Sequence, residues 1–422
     1  MEQYLICMAV CLIGGLLMSR VAKKLRLPAV TAYLAAGLLL GPFFLGRLGV
    51  PGLGFASLEQ AEGLKIISQV ALGFIAFAIG NEFRLSQLKS MGKQAITVGI
   101  WQAVITTALV DAALIVMHLL FPHVISLPSA ITLGAIAAAT APAATLMVVK
   151  QYKADGPLTK LLLLVVAIDD AVGLILFSAS FGIAQALELG TVSITAVVLE
   201  PILEILLSFA LGAAAGFCLY FTEKFFHSRS KRLSLSVAFV LLTVGLSMVE
   251  FEVGGVHCGF SLLLVCMMTG TIFCNICDFS EELMGRVDRW TSPLNILFFV
   301  ISGAELDLGI FSSPMIVLVG VVYIVFRSLG KYFGADLSCR MSHADEKITK
   351  NLGITLLPQA GVALGMAQTA VLLQDGAMVR NVVLFSVLIY ELVGPMLTKM
   401  ALLRAGEIDP SGKTSARTQN NP

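Results

Sequence analysis

Long apolar runs separated by short polar connections make up nearly the whole chain. A helix needs about 20 apolar residues to cross a hydrocarbon core. Stretches of that kind occur thirteen times, at residues 4–20, 28–46, 64–82, 94–118, 129–150, 157–185, 195–223, 232–250, 256–273, 291–308, 314–338, 348–373 and 380–403. The runs are continuous and rich in Leu, Val, Ile, Ala and Gly, which predicts helices rather than the short alternating strands of a barrel. The runs at 157–185 and 195–223 are long and are expected to tilt. The first run follows Glu2 and precedes Arg20, Lys23, Lys24 and Arg26. A cleaved signal has its basic residues before the apolar core, so this reads as a retained helix.

Thirteen spans put the two termini on opposite sides of the membrane. Of 28 Lys and Arg residues, 23 fall in connections on one side; Arg47, Lys65 and Arg380 fall on the other. The remaining two, Arg327 and Lys331, lie inside a run. Positive residues stay in the cytoplasm, so the N-terminus is expected outside and the C-terminus inside, in a bacterial inner (plasma) membrane. Composition agrees: 57% hydrophobic and 13% charged residues, where a soluble protein has about 25% charged. The longest inner connection, near 274–290, is too short for a domain, and the tail after Arg404 reads as polar and disordered. No soluble catalytic or nucleotide-binding domain is expected. Most of the eight cysteines lie in apolar runs as small hydrophobes. Cys274 and Cys277 form a CxxC without the second pair a zinc site needs.

Thirteen divides into six, a linker and six, and the two sixes then run in opposite senses, the layout of an inverted repeat. The fifth run of the first half contains AAATAPAATL, with Pro142 near its middle. The fifth run of the second half contains TLLPQAGVALG, with Pro358, Gln359 and Gly361. Proline removes a backbone donor and clashes with the preceding turn. An interrupted helix at membrane depth must line a cavity or bond elsewhere. Interruptions at matching places in opposed halves point to a midplane site, and Thr140 and Gln359 add polar groups to both.

The run VVAIDDAVGLILF, 165–177, holds Asp169 and Asp170 side by side. Each costs about 2.5–3.5 kcal/mol at the centre of an inserted helix. Neighbouring helical residues point about 100° apart, so the two face different partners. Arg327 and Lys331 are four apart and share a helix face; either aspartate could mate with Lys331. Arg327 is expected in a structural ion pair with Glu82, Glu305 or another acid. Glu82, Glu305 and Asp111 read as interfacial or pairing groups rather than ion ligands. The five histidines lie in or near loops and read as solvated.

The motifs TAYLAAGLLLGP (31–42), FAIGNEF (77–83), TAPAATL (140–146), VVAIDDAVGLILF (165–177), FFVISGAELDLG (298–309), RSLGKYFG (327–334) and PQAGVALG (358–365), in this order, resemble the monovalent cation:proton antiporter superfamily. The doubled aspartate with a lysine on the eleventh span is similar to its sodium/proton exchanger type, in the paired-aspartate electrogenic branch. The resemblance covers residues 4 to 403. It implies a homodimer with a scaffold at 1–93 and 231–310, a core at 94–185 and 311–403, a linker helix at 186–230 and a tail at 404–422. It implies crossing broken helices in the core, Asp170 as carrier of cation or proton, Asp169 paired with Lys331, and Thr140 beside the ion. Many relatives have an acid after the crossover threonine. Here Ala141 stands there and removes one charge from the site.

The implied activity is exchange of Na+ or Li+ for H+ by alternating access, without a cofactor. A carboxylate in a partly dry site can hold a proton or a small hard cation, and each excludes the other. Asp170 and Thr140 would supply oxygen to Na+. A desolvated lysine can release its proton, so Lys331 favours electrogenic exchange. Two rival transporters are a K+/H+ antiporter of the same fold and a sodium-coupled organic solute symporter. An enzyme is not expected. An intramembrane aspartyl protease needs two aspartates facing one water, whereas Asp169 and Asp170 splay from one helix.

Overall fold

The computed structural model describes residues 2–25, 27–50, 53–82, 85–189, 199–249, 251–253, 256–305 and 308–409. The helices are α1 (Glu2–Lys24), α2 (Ala29–Leu40), α3 (Leu58–Glu62), α4 (Lys65–Glu82), α5 (Leu85–Leu120), α6 (Leu127–Ile136), α7 (Pro142–Tyr152) and α8 (Pro157–Leu189). They continue with α9 (Glu200–Glu223), α10 (Arg229–Ser247), α11 (Leu262–Ile276), α12 (Ser280–Ala304), α13 (Pro314–Met341), α14 (Glu346–Thr355), α15 (Gly361–Thr369) and α16 (Gly376–Ala405). Among the described residues, eight helices are long and apolar enough to cross a membrane, and four more are apolar but shorter. The predicted tail beyond residue 409 and residues 190–198 of the predicted linker lie outside the described residues.

Some elements depart from the apolar pattern. The run predicted from 256 does not begin as a helix. Residues Phe251–Val253 and Val256–Cys258 form an antiparallel pair, β1 and β2, with Phe251 opposite Cys258 and Glu252 opposite His257. Alternation of apolar and polar residues suits a strand, and helix α11 starts only after the Ser261 cap. The run predicted from 291 begins eleven residues earlier, at Ser280. Its first turns carry Glu281, Glu282, Arg286, Asp288 and Arg289, so they are polar on one side and escape a search for continuous hydrophobicity.

The chain forms two compact units. The first comprises residues 1–14, 37–92 and 174–305; the second comprises 15–36, 93–173 and 306–422. Thus α1, α2, α5 and α8 each contribute to both. In the first unit α4 and α11 cross at backbone contact. A Cβ at Gly80 would strike the carbonyl of Met267, and one at Gly270 the carbonyl of Phe77. Small residues allow this approach where lipid supplies no hydrophobic drive between helices.

The second unit holds both interrupted helices. Helix α6 stops at Ile136 and α7 starts at Pro142; α14 stops at Thr355 and α15 starts at Gly361. Pro142 opens its helix, where the missing N–H costs nothing. Pro358 lies in the non-helical stretch between α14 and α15, and its carbonyl accepts the Ala141 N–H at 2.8 Å. The two interruptions therefore meet and satisfy part of each other's exposed backbone, as they must at membrane depth.

Candidate ion-exchange site

The crossover is ringed by side chains from α5, α8 and α13. Helix α8 supplies Asp169, fully buried, and Asp170, 4% exposed. The Nζ of Lys331 lies 2.9 Å from Asp169 Oδ2. Thr140 donates its hydroxyl to the same oxygen, and Gln102 Nε2 donates to Oδ1. Lys331 also donates to the carbonyl of Ala138, to Gln102 Oε1 at 3.0 Å and to Thr140 Oγ1 at 2.9 Å. Asp169 is thus a saturated carboxylate, paired and hydrogen-bonded, the condition under which a buried charge is tolerated. Asp170 differs: its buried Oδ1 accepts no hydrogen bond from the protein.

Arg327, fully buried, donates Nε to Ala137 O at 3.0 Å, Nη2 to Ala139 O at 2.7 Å and Nη1 to Leu357 O at 2.7 Å. Its guanidinium also lies 4.5 Å from the centre of the Tyr390 ring. All three of these guanidinium donors thus go to main-chain carbonyls. Helix C-termini present unsatisfied carbonyls and partial negative charge, and both α6 and α14 end here. Arg327 serves both ends, and Lys331 takes the carbonyl between the two that Arg327 holds beyond α6. Glu82 closes α4, where its side chain lies outside the described residues, and Glu305 caps the end of α12; both belong to the other unit.

Thr140 stands on Asp169 rather than on Asp170, so it is the pair's ligand in this structure. It precedes the start of α7 by two residues and ties a carboxylate to that positive end, partly replacing the charge that Ala141 does not supply. Gln359, fully buried, steadies the second interruption. Its Nε2 donates to Ile136 O at 3.1 Å and Tyr323 Oη at 2.9 Å, and its Oε1 accepts from Ser386 Oγ at 2.9 Å. Gly361 opens α15, and Pro142 and Pro358 frame the crossing. Gln102 is a site residue that a search for charges misses; its signal is an amide in the middle of the apolar run of α5. Cys274 and Cys277 are buried, and neither forms a disulfide. Among the described residues no three His, Cys, Asp or Glu side chains gather as a metal site.

The sequence model of the transmembrane sodium/hydrogen exchangers matches residues 8–404. The chain belongs to the sodium/hydrogen exchanger family. Its members are integral membrane cation/proton antiporters, and this exchanger is therefore a transporter. It is 22% identical over 358 residues to the ammonium/H+ antiporter subunit AmhT of Alkalihalophilus pseudofirmus, covering 83% of this chain and 82% of that one. It is 21% identical over 395 residues to the K+/H+ antiporter subunit KhtU of Bacillus subtilis, covering 90% and 89%. Among solved structures it resembles the sodium proton antiporter MjNhaP1 of Methanocaldococcus jannaschii. The electron-microscopy structure of MjNhaP1 gives a TM-score of 0.72 at 18% identity, covering 96% of this chain and 98% of that one. Its structure at pH 8 gives 0.66 at 20%, covering 95% and 97%. The exchanger shares that fold.

Proposed function

We propose that the exchanger moves Na+ against H+, with Asp170 as the position that cation and proton occupy in turn. The reading rests on one contrast. Asp169 is saturated by Lys331, Thr140 and Gln102, while Asp170, its neighbour, keeps a buried oxygen without a protein partner. A buried carboxylate needs a counter-charge or a proton, and each of these cargoes supplies one. Competition for that oxygen couples the two fluxes. Oxygen ligands for a hard cation are at hand in the carboxylates and in water. The Thr140 hydroxyl becomes available only if it leaves Asp169.

Asp169 and Lys331 form the second titrating element: cation binding beside the pair would loosen Lys331 and let its proton go. Thirteen crossings, with α6–α7 and α14–α15 each counted as one, would place the N-terminus outside and the C-terminus in the cytoplasm of a bacterial plasma membrane. The two six-helix halves would be inverted repeats, the core would carry the site during alternating access, and the scaffold would hold a homodimer. K+ or NH4+ as cargo is the second reading, favoured by the activities of AmhT and KhtU.

Proton release from inside-out vesicles on adding Na+, Li+, K+ and NH4+ in turn tests both. Na+ is expected to give the largest signal and Asp170→Asn to abolish it. Undiminished exchange in Asp170→Asn overturns the carrier role; a response to K+ or NH4+ alone overturns the sodium reading only.

A further inference from the structure

The α5–α6 hairpin carries a second acid, partly buried, that the exchange site leaves unused. Asp111 is nine residues beyond Gln102 on α5, about 13 Å along the axis and on the opposite side of the helix. It reads from the sequence as an interfacial or pairing group; among the described residues it makes no ion pair. Its Oδ1 is buried and accepts no hydrogen bond from the protein. The carboxyl packs on Gly134 of α6 so closely that a Cβ there would collide with it. Thr107 lies one turn back on the same face of α5; it is 7% exposed and its hydroxyl has no protein partner either.

The hairpin register extends this pair in both directions. At one end His118 Nδ1 lies 2.8 Å from the carbonyl oxygen of Ile125. The contacts of His118 with Ile125 and of Asp111 with Gly134 fix α5 and α6 as antiparallel neighbours. The same register brings Thr107 level with residues 137 and 138, whose carbonyls hold Arg327 and Lys331. One edge of α5 therefore carries polar groups from the α5–α6 turn to the crossover through an otherwise apolar run.

The charges around Asp111 favour a proton as its occupant. Helix α6 has no titratable residue. Helix α13 meets α5 where Gly330 abuts Thr106 and Gly334 abuts Gln102; its Arg327 and Lys331 are already held on carbonyls. Helix α8 meets α5 where Ile168 abuts Gly99; its titratable residues are the acids Asp169, Asp170 and Glu188 and the cation Lys160, which pairs with Asp155 at 3.5 Å. On α5 itself His118 lies about 10 Å away and Lys93 about 27 Å away along the axis. Among the described residues no cation is placed to pair with Asp111, and on that face of α5 Thr107 is the neighbouring side-chain oxygen.

We propose that Asp111, with Thr107, is a second proton-binding position, a relay between the α5–α6 turn and the crossover. The step makes and breaks only the carboxyl O–H bond, with water giving and taking the proton. Its use rests on the exchange reading above; its existence does not.

The test uses full-length protein in liposomes, with pH varied on one side at a time. Asp111→Asn keeps the shape of the protonated acid but cannot release a proton. It is expected to slow exchange by at least about tenfold, less than a positioned proton donor commonly contributes because water can substitute in part. The dependence on pH at the α5–α6 side should flatten while half-saturation by Na+ from the opposite side stays unchanged. Asp111→Glu should retain most of the rate. Wild-type rates and pH profiles in Asp111→Asn overturn the proposal. Infrared spectra of Asp170→Asn protein give a readout independent of transport and of whether Asp111→Asn folds. A buried protonated carboxyl band should titrate there and change frequency in Asp111→Glu, and the absence of such a band overturns the proposal even if exchange itself fails.

Discussion

At the residue scale the site is a set of donors and acceptors whose match is nearly complete. Lys331 and Asp169 form a fully buried ion pair, and removing one partner of such a pair strands the other. Lys331→Met and Asp169→Asn are each expected to cost about 3–5 kcal/mol. The double variant strands neither charge, so it should cost less than the sum. Thermal unfolding of the four proteins in one detergent checks this; additive losses would mean that the pair contributes nothing jointly. The sequence makes a pairing of Lys331 with an acid legible, because a charge in an apolar run must be met. It leaves Asp169 and Asp170 as equal mates, since the offset of adjacent helical residues does not say which side α13 occupies. It hides the role of Arg327 more deeply. Its partners are main-chain carbonyls, which become acceptors only once two helices are known to end beside it. Gln102 is missed for a related reason: an amide costs less to bury than a charge and so stands out less.

At the element scale the helix ends carry the argument. Helix α8 bears both aspartates, and its first turn is closed by a distant residue. Glu407 accepts the N–H of Leu158 at 2.6 Å, the N–H of Thr159 at 2.7 Å and the Thr159 hydroxyl at 2.6 Å. The carboxylate caps the positive end of α8 and ties it to the segment just after α16. Glu407→Ala is expected to lower stability by about 0.5–2 kcal/mol, the range for a lost cap, and Glu407→Gln by less. Limited proteolysis near residues 153–157 should register the same order. Glycine at a helix crossing is the opposite case, with no bond to lose and no room to give. Gly80→Ala would press a methyl group on the Met267 carbonyl, and overpacking of this kind costs about 1–3 kcal/mol. A melting temperature equal to wild type would refute that contact. The long apolar helices were legible because period and length agree. The start of α12 and the β1–β2 pair were not, because amphipathic turns and three-residue strands leave little trace in a window of about 20 residues.

At the scale of the whole molecule, the proposed exchange turns on the charges of Asp169, Asp170, Lys331 and Arg327. With Asp170 ionised, Asp169, Asp170, Lys331 and Arg327 sum to zero. A proton or a monovalent cation on Asp170 raises the sum by the same amount, so simple replacement would be insensitive to voltage. Release of the Lys331 proton on cation loading, as proposed, would break that symmetry. The cation-loaded site would then carry one charge fewer than the proton-loaded site, and each cycle would move net charge. A potential of 100 mV is worth about 2.3 kcal/mol per charge, which converts to a cation gradient of about fiftyfold. With Na+ as cargo and potassium–valinomycin setting the potential, the reconstituted exchanger should build a gradient of that order without any pH difference. Lys331→Arg should lose this response, because a guanidinium keeps its proton, whatever rate of exchange it retains. If wild-type protein exchanges briskly but ignores the potential, Lys331 keeps its proton through the cycle. Its hold on Asp169 and on the Ala138 carbonyl would then be architecture alone, with Asp170 carrying the whole exchange.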